Sequence, residues 1–130
     1  MIEKLNTFRT DALSALRIMT GLMFLQHGTQ KILNFPEAPA WEVAAFSMPW
    51  IAGMMELIGS AMIVLGLFTR PVAFLLSGLM AGAYFMAHAP QSFYPILNGG
   101  ELAILFCFTF LYLVFAGPGR WSLDAKMGRS

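Results

Sequence analysis

The 130-residue chain contains few charged residues. Charged side chains make up 12% of the residues, well below the roughly 25% that is typical of soluble domains. Hydrophobic residues make up 58%, and the charges avoid the long apolar stretches. This composition argues against a soluble domain and predicts an integral membrane protein.

Cysteine and concentrated positive charge are also scarce. The single cysteine, Cys107, cannot form an intramolecular disulfide, and we interpret it as a small apolar packing residue. The chain contains no Cys-x-x-Cys pair, so covalent haem, iron–sulfur and thioredoxin-type chemistry have no support. Because the formal net charge is +1 and no basic stripe is present, we expect no nucleic-acid partner.

Four apolar segments of roughly 18–23 residues are long enough to cross a hydrocarbon core of about 30 Å. The connections between them are short, which favours antiparallel neighbours. We therefore predict an all-α polytopic membrane protein, in which residues 1–130 form a single antiparallel four-helix transmembrane bundle. The predicted spans are approximately residues 11–33, 49–68, 71–89 and 99–116.

Positive charges gather on one side of this predicted bundle. Lysine and arginine occur near the N-terminus, at Arg70 in the middle turn, and in the tail from Arg120 onwards. The other two loops contain neither residue. By the positive-inside rule, the protein is expected to be a multi-pass protein of the inner (plasma) membrane with both termini in the cytoplasm.

Six charged or histidine side chains fall within the predicted spans or at their ends. They are Arg17, His27, Lys31, Glu56, His88 and Glu101. Counting along each span places all of them except Arg17 in the outer half of the bundle. Since a charged group at mid-membrane costs at least about 2.5 kcal/mol, such residues are expected to face inward and to pair. We expect an ion pair between Arg17 and Glu56, with Glu101 as a further partner.

The only two histidines end two similar segments, residues 21–28 and 82–89. Both segments contain Gly, two residues, Phe, a large apolar residue, any residue, His and a small residue. In each case the next predicted helix contains Glu-Leu. This pattern suggests a two-plus-two repeat about an axis along the membrane normal.

The convergence of these polar residues under aromatic loops predicts a binding site in the outer half of the bundle. Histidines and carboxylates can exchange protons with a redox-active ligand, and a flat quinone head group would suit aromatic walls. The predicted catalytic residues are His27, His88 and Glu56. The predicted ligand-binding residues are Arg17, Lys31, Glu101, Phe24 and Phe85.

Each polar residue also has a structural interpretation. Arg17 and Glu56 can form an ion pair that only fixes the helix register. Lys31 can extend to the outer interface, and Glu101 can form a capping box with Asn98. The histidines can form hydrogen bonds between helices.

A metal site is the other alternative, because two His and two Glu could ligate iron or zinc. The Glu-x-x-His pairs of di-iron bundles are absent, and haem held by both histidines has no further support. We therefore predict no metal site.

Short motifs follow one another along nearly the whole chain. They are Leu16-Arg17 with Gly21, Phe24, His27-Gly28 and Lys31; Glu56-Leu57-Ile58-Gly59; Gly66-Leu67-Phe68-Thr69-Arg70; His88; Asn98-Gly99-Gly100-Glu101; and residues 117–124. In this order they resemble the DoxX family of small integral membrane proteins. The family often has paired glycines after the Glu-Leu, where this chain has Gly59-Ser60.

The resemblance implies a four-helix topology and a link to redox chemistry. Family members are described as candidate oxidoreductase subunits, tied to quinone-linked sulfur oxidation and to oxidative or thiol stress. We predict such a subunit, and because the chain contains no visible electron carrier, we expect it to need a redox partner protein. The other expected partners are the lipid bilayer and further copies of the same chain in a homo-oligomer. The alternatives are a non-enzymatic membrane anchor or assembly subunit and a small-molecule transporter.

Overall fold

The structure, a computed structural model, describes residues 1–130 and contains helices but no strands. The α-helices are α1 (Ile2–Asn6), α2 (Arg9–Leu33), α3 (Met48–Leu65), α4 (Thr69–Ala83), α5 (Pro95–Asn98), α6 (Glu101–Ala116) and α7 (Leu123–Lys126). A π-helical turn, Tyr84–His88, and a 3-10 turn, Ala89–Gln91, continue α4. The predicted all-α class is confirmed, and α2, α3, α4 and α6 overlap the four predicted spans.

Two helical stretches are long and apolar enough to cross a membrane. They are Met48–Leu65 and Thr69–Gln91. Helix α6 is apolar but has only 16 residues, which gives a length of about 24 Å. Helix α2 has 25 residues but contains Arg17 and Lys31. The four-span topology and the cytoplasmic termini therefore stay predictions.

The long helices pack as two hairpins. Helix α2 packs mainly against α3, and α4 packs mainly against α6. Gly28 permits the close approach of α2 to α3, because a Cβ at this position would lie 2.5 Å from the main-chain nitrogen of Leu57. Gly78 and Gly82, in contrast, face no atom within 4 Å. Gly28 therefore matters for close helix packing, and Gly78 and Gly82 do not.

Apolar side chains cover much of the surface, and many polar side chains are inside. The ten buried hydrophobic residues are Phe24, Ile63, Val72, Ala73, Leu76, Met80, Ala103, Phe106, Phe110 and Leu113. Nine polar or charged residues are equally buried. Meanwhile Phe74, Leu105 and Phe108 are largely exposed on the outer faces of the helices. This distribution suits a protein surrounded by lipid, since large exposed apolar surfaces mark contact with a membrane or a partner.

The guanidinium of Arg17 is completely buried and binds the end of α3. Nε donates to the main-chain oxygen of Ile63 (2.9 Å), and a terminal nitrogen donates to that of Val64 (3.4 Å). The guanidinium also donates to the main-chain oxygens of Pro118 and Trp121. Arg17 therefore ties the last turn of α3 to the segment that follows α6.

The expected ion pair between Arg17 and Glu56 is wrong. The last four carbonyls of a helix have no partner within the helix, and a guanidinium offers five N–H donors in a fixed fork. Several carbonyls can therefore replace one carboxylate as the partner of Arg17. Glu56 pairs instead with Lys31.

Asp124 fixes the tail to the start of α4. Its buried carboxylate accepts hydrogen bonds from the main-chain N–H groups of Phe68 (2.9 Å) and Thr69 (2.8 Å). Burial by itself raises the pKa of Asp124, but these hydrogen bonds favour the ionised form and bring the pKa below its usual value. The positive end of the α4 dipole also favours the negative charge.

We expect Asp124→Asn to lower stability by about 1–3 kcal/mol, the range for a hydrogen bond to a charged group and for a buried donor left without a partner. Because the folded-state pKa lies below the unfolded value of about 3.9, this stabilisation is present above that pH and is lost as pH falls through the folded pKa. Thermal unfolding of purified protein at pH 7 and at pH 3 measures the effect.

The matched control is Glu42→Gln, because Glu42 is exposed and forms no side-chain hydrogen bond or ion pair. The thermal unfolding midpoint of Glu42→Gln should equal that of wild type at both pH values. A difference between wild type and Asp124→Asn that is the same at pH 3 as at pH 7 would contradict the role of the ionised carboxylate.

Candidate functional site

Five of the predicted site residues line one cavity of about 220 Å³. They are Phe24, His27, Lys31, Glu56 and His88. The other lining residues are Met80, Ala83, Gly99, Leu102, Ala103 and Phe106. Helices α2, α3, α4 and α6 and the π-helical turn all contribute, so residues far apart in the sequence meet at one place.

Lys31 and Glu56 form the ion pair of this cavity. The Nζ atom of Lys31 lies 2.9 and 3.0 Å from the two carboxylate oxygens of Glu56. The side chain of Glu56 is 4% exposed, and that of Lys31 is 20% exposed. Gly53, one turn before Glu56, lets α2 approach, because a Cβ there would lie 2.9 Å from the Cβ of Lys31. The pair therefore joins the end of α2 to the middle of α3 and places a charged group beside the cavity.

His88 is oriented by the chain that precedes α6. Its Nδ1 lies 2.9 Å from the main-chain oxygen of Asn98, which can only accept, so Nδ1 donates. In the neutral ring Nε2 then keeps its lone pair. Asn98 is itself buried and fixed, because its amide donates to the hydroxyl of Tyr84 (3.2 Å) and its side-chain oxygen accepts from the N–H of Gly100 (2.8 Å).

His27 lies against the aromatic wall of the cavity. Its ring centroid is 6.1 Å from that of Phe24 and 5.9 Å from that of Phe106, with the latter ring almost perpendicular. Phe24 and Phe106 are themselves 5.0 Å apart and buried. The ring nitrogens of His27 form no hydrogen bond with another residue, so they are open to a ligand.

Glu101 lies outside the cavity, contrary to its predicted place in the cluster. It is exposed at the start of α6 and forms no ion pair or side-chain hydrogen bond. The alternative capping box is not formed either, because Gly100 is the N-cap and no side chain caps the helix. The side-chain oxygen of Asn98 accepts instead from the N–H of Gly100, which precedes α6.

Phe85 is also outside the cavity, and its side chain is 69% exposed. In α2, Phe24 and His27 are three residues apart and share a face of an ordinary α-helix. Phe85 and His88 have the same spacing but lie in a π-helical turn, which contains more residues per turn. The two side chains therefore point in different directions, and only His88 reaches the cavity. Such turns often occur at functional sites.

The wall formed by α6 was not predicted. Leu102, Ala103 and Phe106 face the cavity at helical spacing. Helix α6 is apolar on all sides, so no feature of its sequence marks the face that turns inward. The orienting role of Asn98 was missed as well, because its position before Gly99-Gly100-Glu101 indicated only a capping box. No group of three or more His, Cys, Asp or Glu residues is arranged to hold a metal ion.

The comparisons with known proteins identify the family of the chain. The family model described as DoxX matches residues 12–89, which include Arg17, the Lys31–Glu56 pair and both histidines. An uncharacterized protein of Haemophilus influenzae is 45% identical, over 96% of this chain and 97% of that protein. The chain belongs to the DoxX family.

Two more distant relatives of this DoxX-family protein have descriptions of their own. One, from Mycobacterium tuberculosis, is described as an uncharacterized membrane protein and is 24% identical over 88% of this chain and 80% of its own length. The other, from Bacillus subtilis, is named "Putative oxidoreductase CatD" and is 26% identical over 84% of this chain and 81% of its own length. No solved structure matches. The chain is therefore a DoxX-family membrane protein.

We expect Lys31→Met to destabilise the protein by about 3–5 kcal/mol, because it leaves the buried carboxylate of Glu56 without its partner. Glu56→Gln should cost less, since the partly exposed Lys31 can extend towards water. The double variant should be more stable than Lys31→Met alone. Thermal unfolding in detergent measures all three variants.

Glu101→Gln serves as the control, because it removes a carboxylate that has no partner, and it should leave the unfolding midpoint unchanged. If the loss of stability in the double variant equals the sum of the losses in the two single variants, then Lys31 and Glu56 do not stabilise each other.

Proposed function

We propose that this DoxX-family protein is a four-span subunit of an inner-membrane redox system, with both termini in the cytoplasm. Its cavity binds a small redox-active ligand such as the head group of a quinone. The observation that carries the proposal is that the Lys31–Glu56 pair, both histidines and the aromatic wall of Phe24 and Phe106 line one cavity. Buried ionisable groups in a membrane protein are costly and mark functional sites by default.

The size of the cavity limits the ligand. Pockets for drug-sized ligands measure roughly 300–1,000 Å³, and this one measures about 220 Å³. It suits a single ring, whose edges would face polar groups and whose face would lie against Phe24 or Phe106. A long isoprenoid tail would have to remain outside, among the lipid-facing side chains.

The polar groups of the cavity match the two forms of such a ring. A quinone takes up two electrons and two protons when it is reduced. Lys31 has three N–H donors, of which two point to Glu56, so the third can donate to a ring oxygen. Nε2 of His88 can accept from a ring hydroxyl, since Nδ1 is held by Asn98. His27 supplies a second site for proton exchange, and the electrons come from a redox partner protein.

Charge and packing support the proposed topology. The two hairpins, α2–α3 and α4–α6, place the start of α2, the start of α4 and the end of α6 at one end of the molecule, where Asp11 pairs with Arg120. Arg9 and Arg70 lie at the same end. An excess of Lys and Arg on one side is the usual mark of the cytoplasmic face. The name of the Bacillus subtilis relative supports a redox role.

A non-enzymatic anchor or assembly subunit is the second candidate. It is favoured by the hydrogen bonds that Arg17 and Asp124 form with the main chain and by the ion pair between Lys31 and Glu56. These charged groups need no ligand as a partner. In this case the histidines only hold helices together. The two candidates differ in whether the cavity binds a small ring.

Titration calorimetry of purified protein with a short-tailed ubiquinone analogue tests the proposal. We expect wild type to bind and the variant His27→Ala with His88→Ala to bind at least about tenfold more weakly, the factor that a loss of 1.4 kcal/mol gives. The single variant His88→Gln tests whether binding needs Nε2 of His88 as a hydrogen-bond acceptor. Each variant is first checked for an unchanged helical spectrum.

The control is Phe85→Ala, which alters the aromatic residue equivalent to Phe24 by sequence but outside the cavity. It should bind the analogue as tightly as wild type does. Absence of binding by wild type, or equal binding by the double histidine variant, would reject the quinone site and favour the anchor.

A further inference from the structure

A second, larger cavity lies at the other end of α2 from the histidine cavity. It is an open groove of about 740 Å³ between the start of α2, the end of α6 and the tail. Three arginines line it, namely Arg9, Arg70 and Arg120, and no aspartate or glutamate side chain does. The groove therefore concentrates positive charge, and it has no part in the proposed redox site.

The three guanidinium groups are held to different degrees. Arg70 is fixed, because it donates to the main-chain oxygens of Val114 and Phe115 (2.7 Å each) at the end of α6 and to that of Ser130 (3.0 Å) in the tail. Arg120 is held on one side by Asp11, with 3.2 Å between Nε and a carboxylate oxygen. Arg9 forms no ion pair and no side-chain hydrogen bond. N–H donors therefore remain for a ligand on Arg9 and on Arg120.

An apolar track leads away from this groove along α6. Phe108, Tyr112 and Phe115 are spaced by four and three residues, so they share one face of the helix. All three are exposed, at 62%, 55% and 75%, and Tyr112 and Phe115 also line the groove. A cationic groove thus continues directly into a lipid-facing aromatic surface.

We propose that this groove binds one anionic phospholipid, with its phosphate between Arg9 and Arg120 and an acyl chain along Phe108, Tyr112 and Phe115. Guanidinium groups bind phosphate oxygens through paired, charge-assisted hydrogen bonds. Basic pockets between membrane helices are suited to anionic lipid head groups. A soluble phosphate would satisfy the arginines but would leave the aromatic track without a partner, so the groove favours the lipid.

Native mass spectrometry of the full chain in detergent, with added lipid, tests this inference. Phosphatidylglycerol should bind with one molecule per protein, and phosphatidylcholine with the same acyl chains should bind much more weakly. Arg9→Gln should weaken the binding of phosphatidylglycerol about fivefold, as expected for roughly 1 kcal/mol per basic residue near anionic lipid. Arg9 forms no ion pair or side-chain hydrogen bond and is exposed, so this variant should fold normally.

Lys126→Gln is the matched control, because it also removes one positive charge, from a tail residue that does not line the groove. It should leave the affinity for phosphatidylglycerol unchanged. Equal affinity for the two lipids, equal loss in Arg9→Gln and Lys126→Gln, or complete displacement of the lipid by millimolar glycerol phosphate would each overturn the proposal.

Discussion

The hydrogen bonds of the Arg17 guanidinium are the interaction on which the rest of the structure depends. Polar groups inside a membrane must find their partners within the protein, because lipid offers none. Arg17 satisfies the carbonyls at the end of α3 and, at the same time, those of Pro118 and Trp121. The first hairpin and the tail are thereby joined through one buried side chain.

The second hairpin ends in a related way. Arg70, at the start of α4, donates to the carbonyls of Val114 and Phe115 at the end of α6. In both hairpins an arginine of the first helix therefore completes the last turn of the second. Asp124 then accepts from the first N–H groups of α4, so both kinds of unpaired helix end are satisfied at the same end of the molecule.

The two histidine segments have similar sequences but different surroundings. Phe24 is buried in the cavity wall, whereas Phe85 is exposed. Glu56 is buried and paired with Lys31, whereas Glu101 is exposed and unpaired. Only the histidines have equivalent places, since both line the cavity. The second hairpin thus supplies His88 and the wall formed by α6, while the first supplies His27 and the Lys31–Glu56 pair.

The composition and the hydrophobic runs determined the all-α class, the approximate positions of the four long helices and most of the inward-facing polar residues, Glu101 excepted. These features follow from periodicity and from the cost of polar groups in lipid, which are visible in the sequence. The family could also be identified, because its motifs occur in order along one chain. Four members of the site, His27, Lys31, Glu56 and His88, could be grouped by counting along the predicted helices.

Only the tertiary structure decided which hydrogen-bond and ion-pair partners the polar residues have. The sequence predicted Arg17 as the partner of Glu56, whereas in the structure Lys31 takes that place and the carbonyls of the tail bind Arg17. Asn98 forms hydrogen bonds with both ends of the π-helical turn, Tyr84 and His88, and no residue pattern specifies that turn. The face of α6 that turns inward is equally hidden, because the helix is apolar on every side and only its neighbours fix its rotation.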